Sequence, residues 1–406
     1  MRLTFPNVSV RPPSVNLYKE TKIAFILGTA IFVLFLLFMD QFSTFFRTPE
    51  PLISYEHEFP IVLAWTKFFG GDLAEHWRNS DHRTCPYQCV YSSDKRLLNE
   101  SSLIVFHVRN LRELSDLPAT EPHQLKVFYN MESPANVPPA LFKNVPPNYF
   151  NLTATYRTDS DIRIPYGTFR KRSQDVDIEE KVDEIVRNKS KLAFQLVSNC
   201  NTQSNRETLT KELAKSMNIT SFGSCFEAGC DWTCEKEAVE SHYFYLAFEN
   251  SVCPDYVTEK FFRLSRGIVP VVLSRKMAEN VAPRDSFIAV DDFASPAQLA
   301  EYLTNVASNK TLYASYFHWM ESYEVEKPGF ASCSFCEAAH RKPKKASSLN
   351  AIDWWNSAKC WVNYAALNLK SDANISSFAS DCGFLIFLLM IFVALSVLDS
   401  DSLTSV

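Results

Sequence analysis

The run Phe244-Tyr-Leu-Ala-Phe-Glu-Asn-Ser-Val-Cys-Pro-Asp-Tyr-Val-Thr-Glu-Lys-Phe-Phe262, continued by Arg263-Leu-Ser-Arg-Gly267 and Ile268-Val-Pro-Val-Val-Leu273, decides the reading of the fold. Tyr243 to Phe248 and Ile268 to Leu273 are nearly continuous apolar runs, as expected of parallel strands covered on both faces. Between them Asp255 is an N-cap candidate for a helix over Thr258 to Ser265, Glu259 falls in its first turn, and Gly267 can end it in a left-handed conformation. The pattern is strand, loop, helix, strand. It places the loop and the helix start at the carboxyl edge of a sheet, where free backbone N–H groups attract a phosphate and Lys260 adds a full positive charge. Taken alone, Glu259-Lys260 fits a solvated helix face and Glu249-Asn250 a strand-ending turn.

Working outward, the same alternation recurs. Strand-like runs are Ile61 to Trp65, Leu103 to Val108 and Leu125 to Tyr129 in the first half, and Leu192 to Val197 and Phe287 to Val290 in the second. Helix patterns cover Arg206 to Met217, Pro296 to Ala307 and Leu312 to Ser322. This predicts an α/β protein with two doubly wound, Rossmann-like domains facing a cleft, ligands lying beyond the carboxyl ends of the strands. The charged, strand-poor stretch Lys171 to Lys191 reads as the interdomain connection.

The ends of the chain read as membrane chemistry. Ile23 to Met39 carries no charge over seventeen residues, about 26 Å of helix at ~1.5 Å per residue. Arg2, Arg11, Lys19 and Lys22 precede it and Asp40, Glu50, Glu56 and Glu58 follow, so the positive-inside bias leaves the N-terminus in the cytosol and the rest in the lumen. A cleaved signal peptide is the weaker reading, because Gln41, Phe42, Phe45 and Phe46 follow in place of small residues. A second apolar segment, 383–398, is short for a span and fits a membrane helix or an interfacial one equally. The expected organisation is a cytosolic tail over 1–22, an anchor over 23–39, a stem over 40–58, an N-terminal domain over 59–185, a C-terminal domain over 186–345 and an extension over 346–382.

The 406 residues are 46% hydrophobic and carry 41 Lys and Arg against 46 Asp and Glu, a net charge of −5. That excludes a disordered tail and offers no electrostatic footprint for nucleic acid. All eleven cysteines lie beyond the anchor, where disulfides are the default and an odd count leaves one thiol over. Zinc ligation by Cys333-x-x-Cys336 or Cys230-x-x-x-Cys234 is the lesser option in that compartment. Asn99, Asn151, Asn188, Asn218, Asn309 and Asn374 head glycosylation tripeptides on the same side.

The opening run resembles the signature of the α1,3-fucosyltransferases, FENS-x-x-x-DY-[IV]-TEK. Two further segments agree. Phe194-Gln-Leu-Val-Ser-Asn199 followed by Ser204-Asn-Arg206 is similar to the family's VSN and arginine segment. Val127-Phe-Tyr-Asn-Met-Glu-Ser-Pro134 and Tyr149-Phe-Asn-Leu-Thr-Ala-Thr-Tyr-Arg-Thr-Asp-Ser-Asp-Ile-Arg-Ile-Pro-Tyr-Gly167 resemble its ESP and FNLT-x-TYR-x-DSD-x-x-x-PYG segments. The resemblance implies a GT-B fold whose C-terminal half binds GDP-fucose, with Asn250, Tyr256, Glu259 and Lys260 around the donor and Arg206 on its diphosphate. It assigns Glu132 as general base. It implies a disulfide framework joining Cys85 and Cys89 to Cys333 and Cys336; loops of roughly 250 residues closed this way are worth on the order of 5 kcal/mol in the entropic model. The sequence does not assign partners to Cys225, Cys230, Cys234 and Cys253.

The expected chemistry is an inverting displacement on GDP-β-L-fucose giving an α1,3-linkage to N-acetylglucosamine, in lactosamine antennae or in the N-glycan core, by a Golgi type II membrane protein. Ala135-Asn136 stands where vertebrate Lewis-type members have Ser-His, which leaves the acceptor open. Asp159-Ser-Asp161 looks like a metal-binding DxD but falls at the family's DSD segment, so no metal is assigned, no cofactor is required and a divalent cation is at most stimulatory. A homodimer is left open. The competing class is a catalytically silent lumenal glycan-binding protein that keeps the fold; a multispan transporter is weaker still, given the polar, tripeptide-bearing stretch between the two apolar segments.

Overall fold

A computed structural model describes residues 58–80, 85–111, 117–326, 331–341 and 350–367. All of these belong to one contact unit that starts at His57. Strands β1 (Ile61–Ala64), β2 (Val90–Ser92), β3 (Ser101–His107), β4 (Leu125–Asn130), β5 (Leu152–Thr155) and β6 (Ile162–Arg163) form a parallel sheet in the order β2-β1-β3-β4-β5-β6. After β7 (Thr168–Lys171) the chain builds a second parallel sheet from β8 (Lys191–Leu196), β9 (Ile219–Phe222), β10 (His242–Leu246), β11 (Val269–Val272) and β12 (Ile288–Ala289), in the order β12-β11-β10-β8-β9. The strand order reverses between β1 and β3 in the first sheet and between β8 and β10 in the second. Those two crevices at the strand carboxyl ends are where open α/β sheets take ligands.

The apolar runs become the centres of the sheets because both of their faces are covered. Phe194, Phe244, Val271 and Ile268 are buried in one core, packed with Leu299, Leu303 and Tyr313 of the helices Pro296–Ser308 and Lys310–Ser315. The expected single helix over Leu312 to Ser322 is two pieces, Lys310–Ser315 and Trp319–Ser322. Thr258 to Ser265 is likewise shorter than expected, a 3₁₀ turn over Phe261–Arg266 that ends at Gly267 with φ 87°. Asp255 does not cap it: its own φ is 61°, and its carboxylate accepts hydrogen bonds from Thr158 N at 2.9 Å and Thr158 Oγ1 at 2.7 Å.

The stretch Lys171 to Lys191 is more than a connection. It contains the helix Glu179–Arg187, whose Val182 and Val186 join Ile178 in the second core. The crossing between the sheets falls at Gly167, where a Cβ would sit 2.4 Å from Phe262 Cδ1. β7 then pairs antiparallel with β13 (Tyr323–Glu326). The chain afterwards returns to the first sheet. Helix Ser332–Arg341 packs Phe335, Cys336 and Ala339 on one face with Val105 and Tyr129, so these residues, assigned from sequence to the C-terminal domain, cover the N-terminal sheet. Helix Ala351–Asn356 packs Trp354 and Trp355 on the other face with Phe128 and Tyr156.

Cys85–Cys333 and Cys89–Cys336 are disulfides, as the resemblance implies, and fasten the Ser332–Arg341 helix to the segment ahead of β2. Cys200–Cys225, Cys230–Cys234 and Cys253–Cys360 complete the pairing, leaving Cys382 outside the described residues. Of the tripeptide asparagines, Asn99, Asn188, Asn218 and Asn309 are exposed. Asn151 is half-buried with its Oδ1 accepting from Lys126 N, and Asn374 lies outside the described residues. Among the described residues no helix is long and apolar enough to cross a membrane; segments 23–39 and 383–398 lie outside them.

Candidate active site

Glu132 follows β4, beyond its carboxyl end, with its side chain 22% exposed. One carboxylate oxygen, Oε2, faces three donors, each at 3.4 Å: Arg109 Nη1, the Tyr256 hydroxyl and Asn136 Nδ2. Arg109 comes from the turn after β3, and Tyr256 comes from the second half of the molecule. The two halves also meet where Ser133 Oγ lies 2.5 Å from Ser251 Oγ, so the Glu-Ser-Pro and Glu-Asn-Ser segments are in direct contact. Tyr256 is buried, its ring lies tilted against Tyr156 with centroids 5.0 Å apart, and its hydroxyl is held protonated far above the ordinary tyrosine range by burial, with Tyr166, Glu249 and Glu132 adding to it. A protonated phenol can donate to Glu132 throughout the neutral range.

Beside this, the β1–β3 crevice is organised around His107. Its main-chain N–H donates to Thr66 Oγ1 and its Nδ1 lies 2.6 Å from Asn110 Oδ1, so the Nδ1 carries the hydrogen. Burial pushes this imidazole down to about 4, the Asn110 bond offsetting only part of that and the Arg109 charge adding to it. The ring is therefore neutral and acts as a spacer among Phe68, Phe69 and Tyr129.

In the second half, Arg206 starts the helix Arg206–Leu213 and lies across the β8–β10 crevice. It is 5% exposed; Nη1 donates to Phe248 O at 2.5 Å and Nη2 to Asn199 O at 3.1 Å. The expectation that its fork lies on a phosphate differs from this arrangement, because two of its nitrogens are taken by the carbonyls that end those strands. What reaches the crevice is the charge. Nε of Arg206 is buried without a hydrogen-bond partner among the described residues.

Lys260 lies at the same edge. Its Nζ is 3.2 Å from Glu249 Oε2, 3.2 Å from Glu259 Oε1 and 3.0 Å from Thr258 Oγ1. Burial works against its charge, but Glu249 and Glu259 outweigh it and hold the ammonium above the usual lysine range. Glu249, 8% exposed, is pushed up by burial and partly restrained by Lys260; its other oxygen accepts from Thr258 N at 2.8 Å and Thr258 Oγ1 at 2.7 Å. The 3₁₀ turn itself begins after Lys260 with no side-chain cap, and Glu249 instead holds the Thr258 segment that leads into it. Glu259, by contrast, is 58% exposed. Asn250 contributes its main-chain carbonyl to Ser204 N and its Oδ1 to Ser251 Oγ.

Sequence reasoning missed Arg109, Asn136 and Glu249 as site residues. The usable signal was position, since each follows the carboxyl end of a strand or its first turn. Asp159 and Asp161 are both engaged within the protein: Asp159 with Arg157 Nη2 at 2.7 Å and Trp354 Nε1 at 2.9 Å, Asp161 with Thr153 N and Oγ1. Among the described residues the cluster with metal-ligand types is Cys89, Cys336 and His340, and its two sulfurs are bonded to each other.

The model of the family described as fucosyltransferase, N-terminal, matches residues 57–167, and that of glycosyltransferase family 10 (fucosyltransferase), C-terminal, matches 186–355. The chain belongs to the family 10 fucosyltransferases. It is accordingly an enzyme. The bovine (Bos taurus) 4-galactosyl-N-acetylglucosaminide 3-alpha-L-fucosyltransferase 9 is 38% identical over 281 residues, covering 66% of this chain and 75% of that protein. The human (Homo sapiens) form is 37% identical over 278 residues with the same coverage. The alpha-(1,3)-fucosyltransferase fut-1 of Caenorhabditis elegans is 36% identical over 309 residues, covering 70% of this chain and 66% of that protein. A crystal structure of an alpha1,3-fucosyltransferase with GDP is 14% identical, covers 73% of this fucosyltransferase and 95% of that chain, and has a TM-score of 0.48.

Proposed function

We propose that this fucosyltransferase transfers L-fucose from GDP-β-L-fucose, with inversion, to the 3-hydroxyl of N-acetylglucosamine in a glycan, using a GT-B arrangement of its two sheets. The observation that carries the reading is the meeting of Glu132 with Tyr256 across the two halves, beside a cationic edge formed by Arg206 and Lys260. Glu132 takes the proton of the acceptor hydroxyl as its oxygen attacks the anomeric carbon. The bond from that carbon to the diphosphate breaks on the opposite face, through an oxocarbenium-like state comparable to that of glycoside hydrolysis.

Charge then grows on the departing diphosphate. Lys260 can turn from Glu259, which is exposed and exchangeable, while its contact with buried Glu249 keeps the ammonium in place. Preorganised donors of this kind are commonly worth about 3 to 4 kcal/mol each. Arg206 adds its positive charge through the strand ends it holds together. No metal or cofactor enters the scheme. The relatives named for N-acetylglucosaminide acceptors support the acceptor class, and an N-terminal anchor over 23–39 with a lumenal catalytic region in the Golgi is part of the same proposal.

The test is to incubate the enzyme with GDP-fucose and a panel of lactosamine and N-glycan-core acceptors, and to determine the linkage and anomeric configuration of the product. An α1,3-fucosylated N-acetylglucosamine supports the reading and identifies the acceptor. GDP binding with no transfer to any member gives the silent glycan-binding protein in its place.

A further inference from the structure

The segment that follows the family-matched residues, which end at 355, runs across both halves of the molecule. It leaves the first sheet from helix Ala351–Asn356, whose Trp355 is fully buried against Phe128 at 5.5 Å. It then meets the second half at successive points. Cys360 is disulfide-bonded to Cys253, which is completely buried in the middle of the 249–260 loop. Trp361 N donates to Val252 O at 2.8 Å, Asn363 N to Gln203 O at 2.7 Å and Ala365 N to Ser204 O at 3.0 Å. Ser204 in turn donates through Oγ to Glu249 O and through N to Asn250 O. Ala365 is itself buried in the core of the second sheet.

Each of these contacts ends on the 249–260 loop or on the 203–204 turn that supports it. The loop has little regular secondary structure of its own and includes Asp255 with φ 61°, so its conformation must be imposed by partners. Thr158 holds Asp255 from outside the loop, and the loop's own Thr258 closes onto Glu249. We propose that residues 358–367 are a strap that holds this loop in its donor-binding conformation, with Cys360 as the positioning residue that latches it. The inference rests on the reading that the loop binds GDP-fucose. The strap's hydrogen bonds end on this loop and its supporting turn, so its effect falls first on donor affinity, through preorganisation, and only secondarily on Glu132, which the loop meets through Tyr256.

The test compares wild-type enzyme with Cys360→Ser and with the Cys253→Ser, Cys360→Ser pair, measuring KM for GDP-fucose, KM for acceptor, kcat and the GDP-induced rise in Tm. Loss of preorganised donor binding predicts a KM for GDP-fucose raised about tenfold, a smaller fall in kcat passed on through Tyr256, and an acceptor KM within about twofold. It also predicts a smaller GDP-induced shift, and a double variant no worse than the single because both remove one bond. A Cys360→Ser enzyme with unaltered KM for GDP-fucose, or with its loss in kcat or acceptor KM alone, overturns the strap. Should Cys360→Ser fail to fold, Trp361→Pro keeps the disulfide and removes the N–H to Val252; a severalfold rise in the same KM supports the proposal and an unchanged value overturns it. A wild-type enzyme that GDP-fucose does not saturate overturns the donor reading and the strap together, whereas a saturable wild type with an indifferent Cys360→Ser overturns the strap alone.

Discussion

The hydroxyl of Tyr256, from the half built on β8 to β12, stands 3.4 Å from the carboxylate of Glu132, from the half built on β1 to β6. Tyr256 is buried and its phenol stays protonated, so it donates and Glu132 accepts. This fixes one oxygen of that carboxylate while Arg109 and Asn136 approach the same oxygen. Tyr256→Phe removes a donor to a charged group, typically about 1.5 to 3 kcal/mol. At this longer distance we expect the low end, roughly a tenfold fall in kcat. Steady-state kinetics with saturating donor will measure it.

Lys260 and Glu249 form a pair that is mostly withdrawn from water. Breaking such a pair by removing one member costs about 3 to 5 kcal/mol, because the remaining charge is left uncompensated. In Lys260→Met, Glu249 keeps its burial, which already raises its pKa, and loses the charge that restrains it. A carboxyl whose folded pKa lies above its unfolded value favours folding below the unfolded pKa and loses that contribution as pH rises through the folded one. Lys260→Met should therefore lose stability between mildly acidic and neutral pH more steeply than wild type. Adding Glu249→Gln should restore stability without restoring GDP affinity, as read by thermal unfolding and GDP titration.

Lys189 offers a second titration away from the site. It is buried, with Nζ donating to Val239 O at 2.6 Å and Gly267 O at 2.7 Å, and burial pushes it down to about 7, Glu240 opposing. The unfolded chain holds this proton up to its ordinary value near 10.5, so between those two values the unfolded state binds more protons. Stability from this residue accordingly rises with pH across that window, and its burial penalty is full below about 7. Lys189→Met should flatten that rise in urea unfolding curves collected from pH 6 to 9; an unchanged slope contradicts the assignment.

The parts of the fold that could be read from sequence were those with two covered faces. β1, β3, β4, β8, β10 and β11 are runs of Val, Ile, Leu, Phe and Tyr because neighbours lie above and below them. β2, β6 and β13 are short and at sheet edges, or in the two-stranded pair, so nothing forces a continuous apolar pattern. The helix Glu179–Arg187 was hidden by its charges: only Ile178, Val182 and Val186, one side of it, are buried. The return of Phe335 and Trp355 to the first sheet depends on contacts more than two hundred residues apart in sequence, which no local period records.

For the site, the motifs singled out Glu132, Tyr256 and Lys260; the Tyr256 hydroxyl lies 3.4 Å from Glu132, and Lys260 lies on Glu249. They did not show who holds whom. Glu249 looked like the end of a strand, yet it is the buried acid that pairs with Lys260 and accepts from Thr258 N. Asp255 looked like a helix cap, but its left-handed backbone turns its carboxylate to Thr158 in the other half. Arg109 had no motif at all; its meaning comes from the 3.4 Å to Glu132.

The account turns on Glu132 as the group that accepts the proton of the acceptor hydroxyl. The direct measurement is fucose transfer by Glu132→Gln beside GDP-fucose binding by the same preparation. General base catalysis contributes about 10²- to 10⁴-fold, so we expect turnover to fall by at least about 10²-fold while donor affinity is retained. Transfer at the wild-type rate by Glu132→Gln would contradict the account.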